Sequence, residues 1–180
     1  GAHTGEVSPK MLQSLSVKQV IVGHSECRLS GDSNEIVNKK ILNLLKSKLT
    51  VILCIGEHKR DNEGFYLSFL SEQLKDCLKD VPSSQMKNII IAYEPIWAIG
   101  KEATRVATKD EFIEIKIFIR KVLSDIYNSK IALSVPIIYG GSVNKDNASS
   151  FLVEGEADGI LVGRDSLNPK NFNAILKLSN

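Results

Sequence analysis

The sequence predicts an α/β fold built on a parallel sheet, and three observations support this prediction. Short apolar runs rich in Ile and Val alternate with longer segments in which apolar residues recur every three or four positions. Parallel neighbouring strands need a crossover helix of this kind between them. Each predicted strand also ends in a small or polar cluster, and parallel strands bring such ends to one edge of the sheet. A chain of 180 residues, 43% of them hydrophobic, suits one domain with a substantial core.

The elements follow one another as five strand and helix units. Ser8 and Pro9 have the residue types of an N-cap and a first helical position, which predicts a short helix to about Leu15. Thr108 and Glu111 have the spacing of a capping box, which predicts the start of a longer helix. Strands are predicted at 17–23, 50–56, 89–93, 135–139 and 158–163, and further helices at 35–48, 66–78, 108–126, after 144 and at about 170–178.

The stretch IIIAYEPIWAIG, residues 89–100, is the most informative part of the chain. Its apolar run shows no alternation, which predicts a strand covered on both faces. Glu94 stands at the carboxyl end of this strand, where α/β folds place their chemistry. We expect Trp97 to anchor the following loop by burial and Gly100 to permit a positive φ. A strand that ends in a solvated glutamate is the alternative that this stretch alone leaves open.

Other strand ends carry residues that suit chemistry on a phosphate. His24 follows the first strand, while glycines at 140–141 and Gly163 form turns that present backbone N–H groups before helices. A carboxylate base and a neutral imidazole facing a phosphate cradle would form a proton-transfer site for a small phosphorylated carbonyl compound. The alternatives are that the glycines only make tight turns and that His24 is a hydrogen-bonded neighbour of the strand.

Composition and charge exclude several classes of partner. The 23 basic and 21 acidic residues nearly balance, and no basic stripe is interleaved with aromatic residues, so we expect no nucleic-acid partner. The three cysteines lack the spacing of metal ligands, which predicts reduced thiols. No apolar run approaches membrane-spanning length and the first ten residues lack a signal-peptide core, so we expect a cytoplasmic protein without membrane association.

Five motifs of the chain resemble those of the triosephosphate isomerase family, in the order that the family has them: GAHTGEVSP, VIVGHSE, CIGE, AYEPIWAIG and YGGSV. The resemblance runs through all 180 residues. It implies a partial TIM (β/α) barrel, in which residues 1–180 form a single domain of the five carboxyl-terminal βα units, with open edges. It also implies interconversion of dihydroxyacetone phosphate and glyceraldehyde 3-phosphate, as in glycolysis and gluconeogenesis, with a small phosphorylated triose as substrate and no cofactor or metal.

The resemblance also implies roles for individual residues. Glu94 would move the proton between two carbons of the triose, and His24 would polarise the carbonyl and protonate the enediolate. Glu26 matches a third acid of the family near the site. Backbone N–H groups of four further residues would hold the phosphate: Gly100, Ser142, Gly163 and Arg164.

Several positions depart from the pattern of the family. The match begins at the loop after the third strand of the barrel, so the sequence contains no residue that matches the Asn-x-Lys pair of the first strand. We therefore expect weak activity. Arg164 stands where a second glycine is usual, and its guanidinium is a candidate for part of the missing positive charge. Lys101 and Glu102 replace a Thr-Gly pair of the family. The sequence therefore does not predict the contact that the family usually has between this loop and the YGGS turn.

Two further expectations concern the open edges and an alternative function. The strands near Val20 and Leu161 would be unpaired apolar edges, which predicts a homo-oligomer, dimer or higher, that covers them. A fragment that folds only with a separate amino-terminal piece is the alternative to this association. The alternative function is a catalytically silent protein that binds phosphate or acts in assembly and retains the fold.

Overall fold

A four-stranded parallel sheet lies at the centre of the chain. The computed structural model describes residues 2–100, 103 and 105–179. In it the strands run in the order β1-β2-β3-β4, so that each pairs with its neighbour in sequence. The strands are β1 (Gln19–Val22), β2 (Thr50–Ile55), β3 (Ile89–Tyr93) and β4 (Ile137–Tyr139). The predicted α/β fold with a parallel sheet is confirmed.

The predicted fifth strand is present only as an isolated bridge. Tyr139 of β4 pairs in parallel with Ile160. The N–H of Asp158 donates to the carbonyl of Ile137 at 3.0 Å, and the N–H of Leu161 donates to the carbonyl of Tyr139 at 2.8 Å. The segment therefore occupies the position of a fifth strand. It does not form a regular ladder, because only the pair Tyr139 and Ile160 meets as a bridge.

Helices connect the strands, and two of their predicted starts are confirmed. Ser8 accepts a hydrogen bond from the N–H of Met11 at the first helix, and Thr108 and Glu111 form both bonds of a capping box. In the described part of the chain, no helix is long and apolar enough to cross a membrane. The α-helices are α1 (Pro9–Ser14), α2 (Ser25–Leu29), α3 (Asn34–Lys46), α4 (Phe65–Cys77), α5 (Lys109–Ile126), α6 (Ser129–Ser134) and α7 (Pro169–Leu176). Short 3-10 turns span Ser83–Asn88, Ile96–Ala98, Arg164–Leu167 and Lys177–Ser179, and a π-helical turn spans Ser150–Glu154.

The two faces of the sheet differ in how well they are covered. On the face that packs against the helices, side chains such as Val51 and Leu53 are fully buried and belong to the core. On the other face, the register aligns Ile21, Ile52 and Ile90 in one row. Ile21 is 46% exposed, and the other two are half-buried. We expected both faces of β3 to be covered, but the cover on this face is incomplete. The described strands form an open sheet and do not close over this row of side chains.

Candidate active site

A cavity of about 580 Å³ opens at the carboxyl edge of the sheet. Its walls come from the segments that follow β1, β3 and β4 and from the segment that includes the isolated bridge. Parallel strands end at one edge, which brings these distant segments together. Glu57, the second residue after β2, lines a different and smaller depression. All seven residues that the sequence singled out line the main cavity: His24, Glu26, Glu94, Gly100, Ser142, Gly163 and Arg164.

Glu94 is fixed at the end of β3 by its own backbone. Its N–H donates to the carbonyl of Ile55 at 2.8 Å. A Cβ atom on Gly56 would lie 1.7 Å from the carbonyl oxygen of Glu94, so only glycine permits this close approach. Glu94 is 2% exposed, which excludes a solvated glutamate. The carboxyl group is held in a buried position at the wall of the cavity.

His24 is positioned by the start of α2, of which it is the N-cap. Gly23, with a φ of +70°, turns the chain immediately before it. The Nδ1 of His24 accepts a hydrogen bond from the N–H of Glu26 at 3.3 Å. A nitrogen that accepts a hydrogen bond carries no proton, so the neutral imidazole bears its hydrogen on Nε2. About one third of the side chain, 34%, is exposed at the cavity.

The imidazole of His24 and the carboxyl group of Glu94 are in direct contact. The Nε2 of His24 lies 3.2 Å from the Oε1 of Glu94, but the alignment is too poor for a hydrogen bond, and Oε1 has no donor among the described residues. The other oxygen, Oε2, accepts from the N–H of Ser25 at 3.2 Å. Burial raises the pKa of Glu94, and the nearby His24 and Ser25 only partly oppose this shift. The Ser25 N–H thus holds Oε2, whereas Oε1 is left able to accept or release a proton.

Glu57 is an important residue that the sequence analysis missed. It is 1% exposed, and its Oε1 accepts hydrogen bonds from the hydroxyl of Tyr93 and from the Nε1 of Trp97, each at 2.8 Å. Burial raises the pKa of Glu57, against the opposing effect of these two donors. Trp97 is 7% exposed, as predicted. Glu57 therefore joins the end of β2 to the loop that follows Glu94.

A hydrogen bond also joins this loop to the turn after β4. The hydroxyl of Ser142 donates to the carbonyl of Ala98 at 2.7 Å. Gly100 has a φ of +76°, which confirms the expected positive value. Lys101 and Glu102, the two departures of this loop, lie outside the described residues. The loop is nevertheless attached to the YGGS turn through its first residues.

The charged groups that line the cavity are mostly acidic. Three carboxyl groups border it, those of Glu26, Glu94 and Asp165, while Arg164 is the one arginine and no lysine is present among its described lining residues. The described part of the chain contains no group of three or more His, Cys, Asp or Glu side chains that could hold a metal ion. The cavity therefore offers acid-base groups, backbone N–H groups and one guanidinium.

These features define the class of the protein: an α/β chain with a carboxyl group and an imidazole in contact at the strand ends of a partial (β/α) barrel. Comparison with known families makes the assignment specific. The family model described as triosephosphate isomerase matches residues 1–179. The chain belongs to the triosephosphate isomerase family, which confirms the resemblance seen in the sequence motifs.

Curated relatives support the same assignment. The chain is 45% identical over 180 residues to the triosephosphate isomerase of Borrelia garinii subsp. bavariensis. It is 41% identical over 179 residues to that of Chloroherpeton thalassium, and 41% identical over 181 residues to that of Natranaerobius thermophilus. The alignments cover 98%, 98% and 99% of this chain, respectively, and 70% of each relative. The chain thus spans about 70% of the length of these relatives.

Proposed function

We propose that the chain interconverts dihydroxyacetone phosphate and glyceraldehyde 3-phosphate by proton transfer. The observation that carries this proposal is the 3.2 Å contact between the imidazole of His24 and the carboxyl group of Glu94 at the wall of one cavity. Membership of the triosephosphate isomerase family supports the choice of a triose phosphate as substrate.

In this proposal Glu94 is the base. It takes a proton from the carbon that bears the hydroxyl, next to the carbonyl, and returns the proton to the former carbonyl carbon. The Oε1 of Glu94, which has no donor among the described residues, is the oxygen proposed for this transfer. Burial raises the pKa of Glu94 toward the working range, which suits a group that must both accept and release the same proton.

His24 is the proposed electrophile. Its Nε2–H would donate to the substrate carbonyl oxygen and stabilise the enediolate as negative charge develops there. It would then protonate this oxygen and recover a proton from the other oxygen as the new carbonyl forms. The N–H of Glu26 holds Nδ1 and so keeps the donor proton on Nε2. The Glu26 side chain, which also lines the cavity, is the third proposed acid of the site.

Backbone N–H groups at the rim are the proposed phosphate ligands. Those of Ser142 and Gly163 have no acceptor among the described residues, so they are free to bind an anion. Gly100 and Arg164 complete the proposed set. The loop that contains Gly100 would exclude water while the enediolate exists, which protects it from losing phosphate.

A catalytically silent protein that binds phosphate, or acts in assembly, is the second candidate. The acidic lining favours it, because no lysine borders the cavity in the described ranges. Loss of one preorganised charge-assisted contact typically lowers a rate by about two to three orders of magnitude. This candidate predicts binding of phosphate ligands without isomerisation.

A coupled assay of triose phosphate interconversion separates the two candidates. Glu94→Gln should reduce the rate by about 100-fold or more, because the amide cannot act as a base. Glu72→Gln is the matched control, since Glu72 is exposed on α4 and is not among the residues that line the cavity. A folded wild-type chain with no more activity than the Glu94→Gln variant would refute the isomerase proposal and favour the silent one.

We also propose that residues 1–180 form one domain and that copies of the chain associate. In the described sheet, β1 pairs only with β2, which leaves one strand edge open beside the exposed Ile21. Unpaired apolar edges favour strand addition by another chain. Light scattering on the purified chain tests this proposal: a dimer or larger assembly is expected, and a stable monodisperse monomer would refute it.

The cytoplasm is the proposed location. Cys27, Cys54 and Cys77 are all free thiols, and Cys54 and Cys77 are buried. Free cysteines without a disulfide suit a reducing compartment.

A further inference from the structure

We propose that the guanidinium group of Arg164 binds the phosphate group of the ligand in the main cavity. This inference rests on the proposed function, because it names the side chain that supplies the positive charge of that same site. It assigns to Arg164 a side-chain contact in addition to its backbone N–H group. The required chemistry is that of a phosphate dianion and a planar guanidinium, which can form two parallel hydrogen bonds.

Arg164 differs from the other arginines of the chain in having no side-chain partner among the described residues. All five arginines lie in the described ranges. The other four each donate side-chain hydrogen bonds to protein acceptors: Arg28, Arg60, Arg105 and Arg120. The Arg164 side chain makes no hydrogen bond or ion pair with a described residue, and the residue is exposed. Its guanidinium is therefore available to a ligand.

Arg164 supplies positive charge to a cavity whose other charged lining residues are mostly acidic. The carboxyl groups of Glu26, Glu94 and Asp165 border the cavity and would repel a phosphate. Apart from His24, Arg164 is the one described lining residue that can carry positive charge. Asp165 forms no ion pair with Arg164, and its Oδ2 accepts hydrogen bonds from the N–H of Lys145 at 3.4 Å and from the Nδ2 of Asn171 at 3.3 Å.

The backbone beside Arg164 leaves space for an anion. A Cβ atom built on Gly163 would have no atom within 4 Å, so open space adjoins the backbone just before the arginine. The N–H of Gly163 has no acceptor among the described residues. A phosphate in this space could accept from the backbone and from the guanidinium together.

The experiment measures binding of inorganic phosphate by ³¹P NMR titration and the KM for dihydroxyacetone phosphate. Arg164→Gly should weaken phosphate binding by about tenfold to a hundredfold, the usual effect of a charge-assisted hydrogen bond. Arg164→Lys should recover part of the affinity, because lysine keeps the charge and loses the planar fork. Circular dichroism checks that each variant is folded.

Lys170→Gln is the matched control. Lys170 is an exposed cation that borders, together with Arg164, an outer groove and not the main cavity. The Lys170→Gln variant should keep its affinity for phosphate within about twofold of the wild-type value, since an exposed charge outside the site is largely screened. Equal losses in the Lys170 and Arg164 variants would overturn the inference in favour of a general field effect. Unchanged affinity and KM in Arg164→Gly, or no phosphate binding by the wild type, would also overturn it.

The two proposals can fail separately. Phosphate binding that depends on Arg164, without turnover above the Glu94→Gln background, would support this inference and refute the isomerase. Turnover that depends on Glu94, with KM and phosphate affinity unaffected by Arg164→Gly, would support the isomerase and refute this inference.

Discussion

The Nε2 atom of His24 lies 3.2 Å from the Oε1 atom of Glu94, although one residue follows β1 and the other follows β3. β2 lies between these strands, and the contact forms beyond its end, where Gly56 has no side chain. Each partner is held separately, since Glu94 is fixed by backbone pairing and His24 by the start of α2. The contact between His24 and Glu94 therefore depends on the order of the strands in the sheet. Its effects on stability can be measured.

The first prediction concerns pH and the burial of Glu94. Burial raises its folded-state pKa above the ordinary value of 4.5, so the folded state binds more protons than the unfolded state between these two pKa values. Stability contributed by this group is therefore lost as pH rises through that window. Glu94→Gln removes the buried charge and should be more stable than the wild type at neutral pH, with a difference that shrinks on acidification.

Urea unfolding at a series of pH values measures this effect. Glu72→Gln, on the exposed face of α4, should show no comparable dependence on pH. A difference between Glu94→Gln and the wild type that stays constant from neutral pH down to the ordinary glutamate range would contradict the prediction.

The second prediction concerns the buried acceptor Glu57. Tyr93→Phe removes one of the two described donors to its Oε1, so we expect a loss of about 1–3 kcal/mol in the free energy of unfolding. Unfolding can be followed through the fluorescence of Trp97, the single tryptophan of the chain. A double-mutant cycle with Glu57→Gln should show coupling. Additive effects within about 0.5 kcal/mol would mean that the two side chains do not act together.

The third prediction concerns the close approach at Gly56. Gly56→Ala would place a Cβ atom 1.7 Å from the Glu94 carbonyl oxygen, so we expect a loss of about 3 kcal/mol or more in stability, or failure to fold. Gly5→Ala is the control, because Gly5 has a φ of +88° but no atom within 4 Å of its Cβ position. It should cost only the backbone strain, about 1–2 kcal/mol. Equal losses in urea unfolding would argue against the steric explanation.

The fourth prediction concerns the link between the loop and the turn. Ser142→Ala removes the hydroxyl that donates to the Ala98 carbonyl, and we expect a loss of about 1 kcal/mol in stability. Hydrogen exchange in the loop near Ala98 should also become faster than in the wild type. Ser149→Ala removes an exposed serine side chain outside the cavity lining and should change neither quantity. Equal exchange rates in the two variants would show that the Ser142 hydroxyl does not restrain the loop.

Local patterns in the sequence predicted much of this fold. The apolar runs predicted the four regular strands, because a strand buried by its neighbours must be apolar along its whole length. The pairs Ser8 with Pro9 and Thr108 with Glu111 predicted two helix starts, since capping depends on residues only three positions apart. The short helices α2 and α6 lack an apolar period long enough to detect.

Other features depend on residues that are distant in the chain. The run at 158–163 has the composition of a strand but forms only a bridge to β4, so its local composition does not determine how far it pairs. The donors to Glu57 come from another strand and its loop, so no local pattern reveals their contact. The incomplete cover of the row of side chains that contains Ile21 likewise depends on which strands are neighbours in the sheet.

The sequence by itself determined the α/β class, the position of each strand end and the residue types that stand there, because these depend on local periodicity and on the backbone preferences of Gly and Pro. Only the tertiary structure decided that Glu94 is buried against His24, that Glu57 accepts from two aromatic donors, and that the Arg164 guanidinium has no partner among the described residues. Burial, partner and charge environment arise from contacts between segments far apart in sequence, and strand order and register set those contacts.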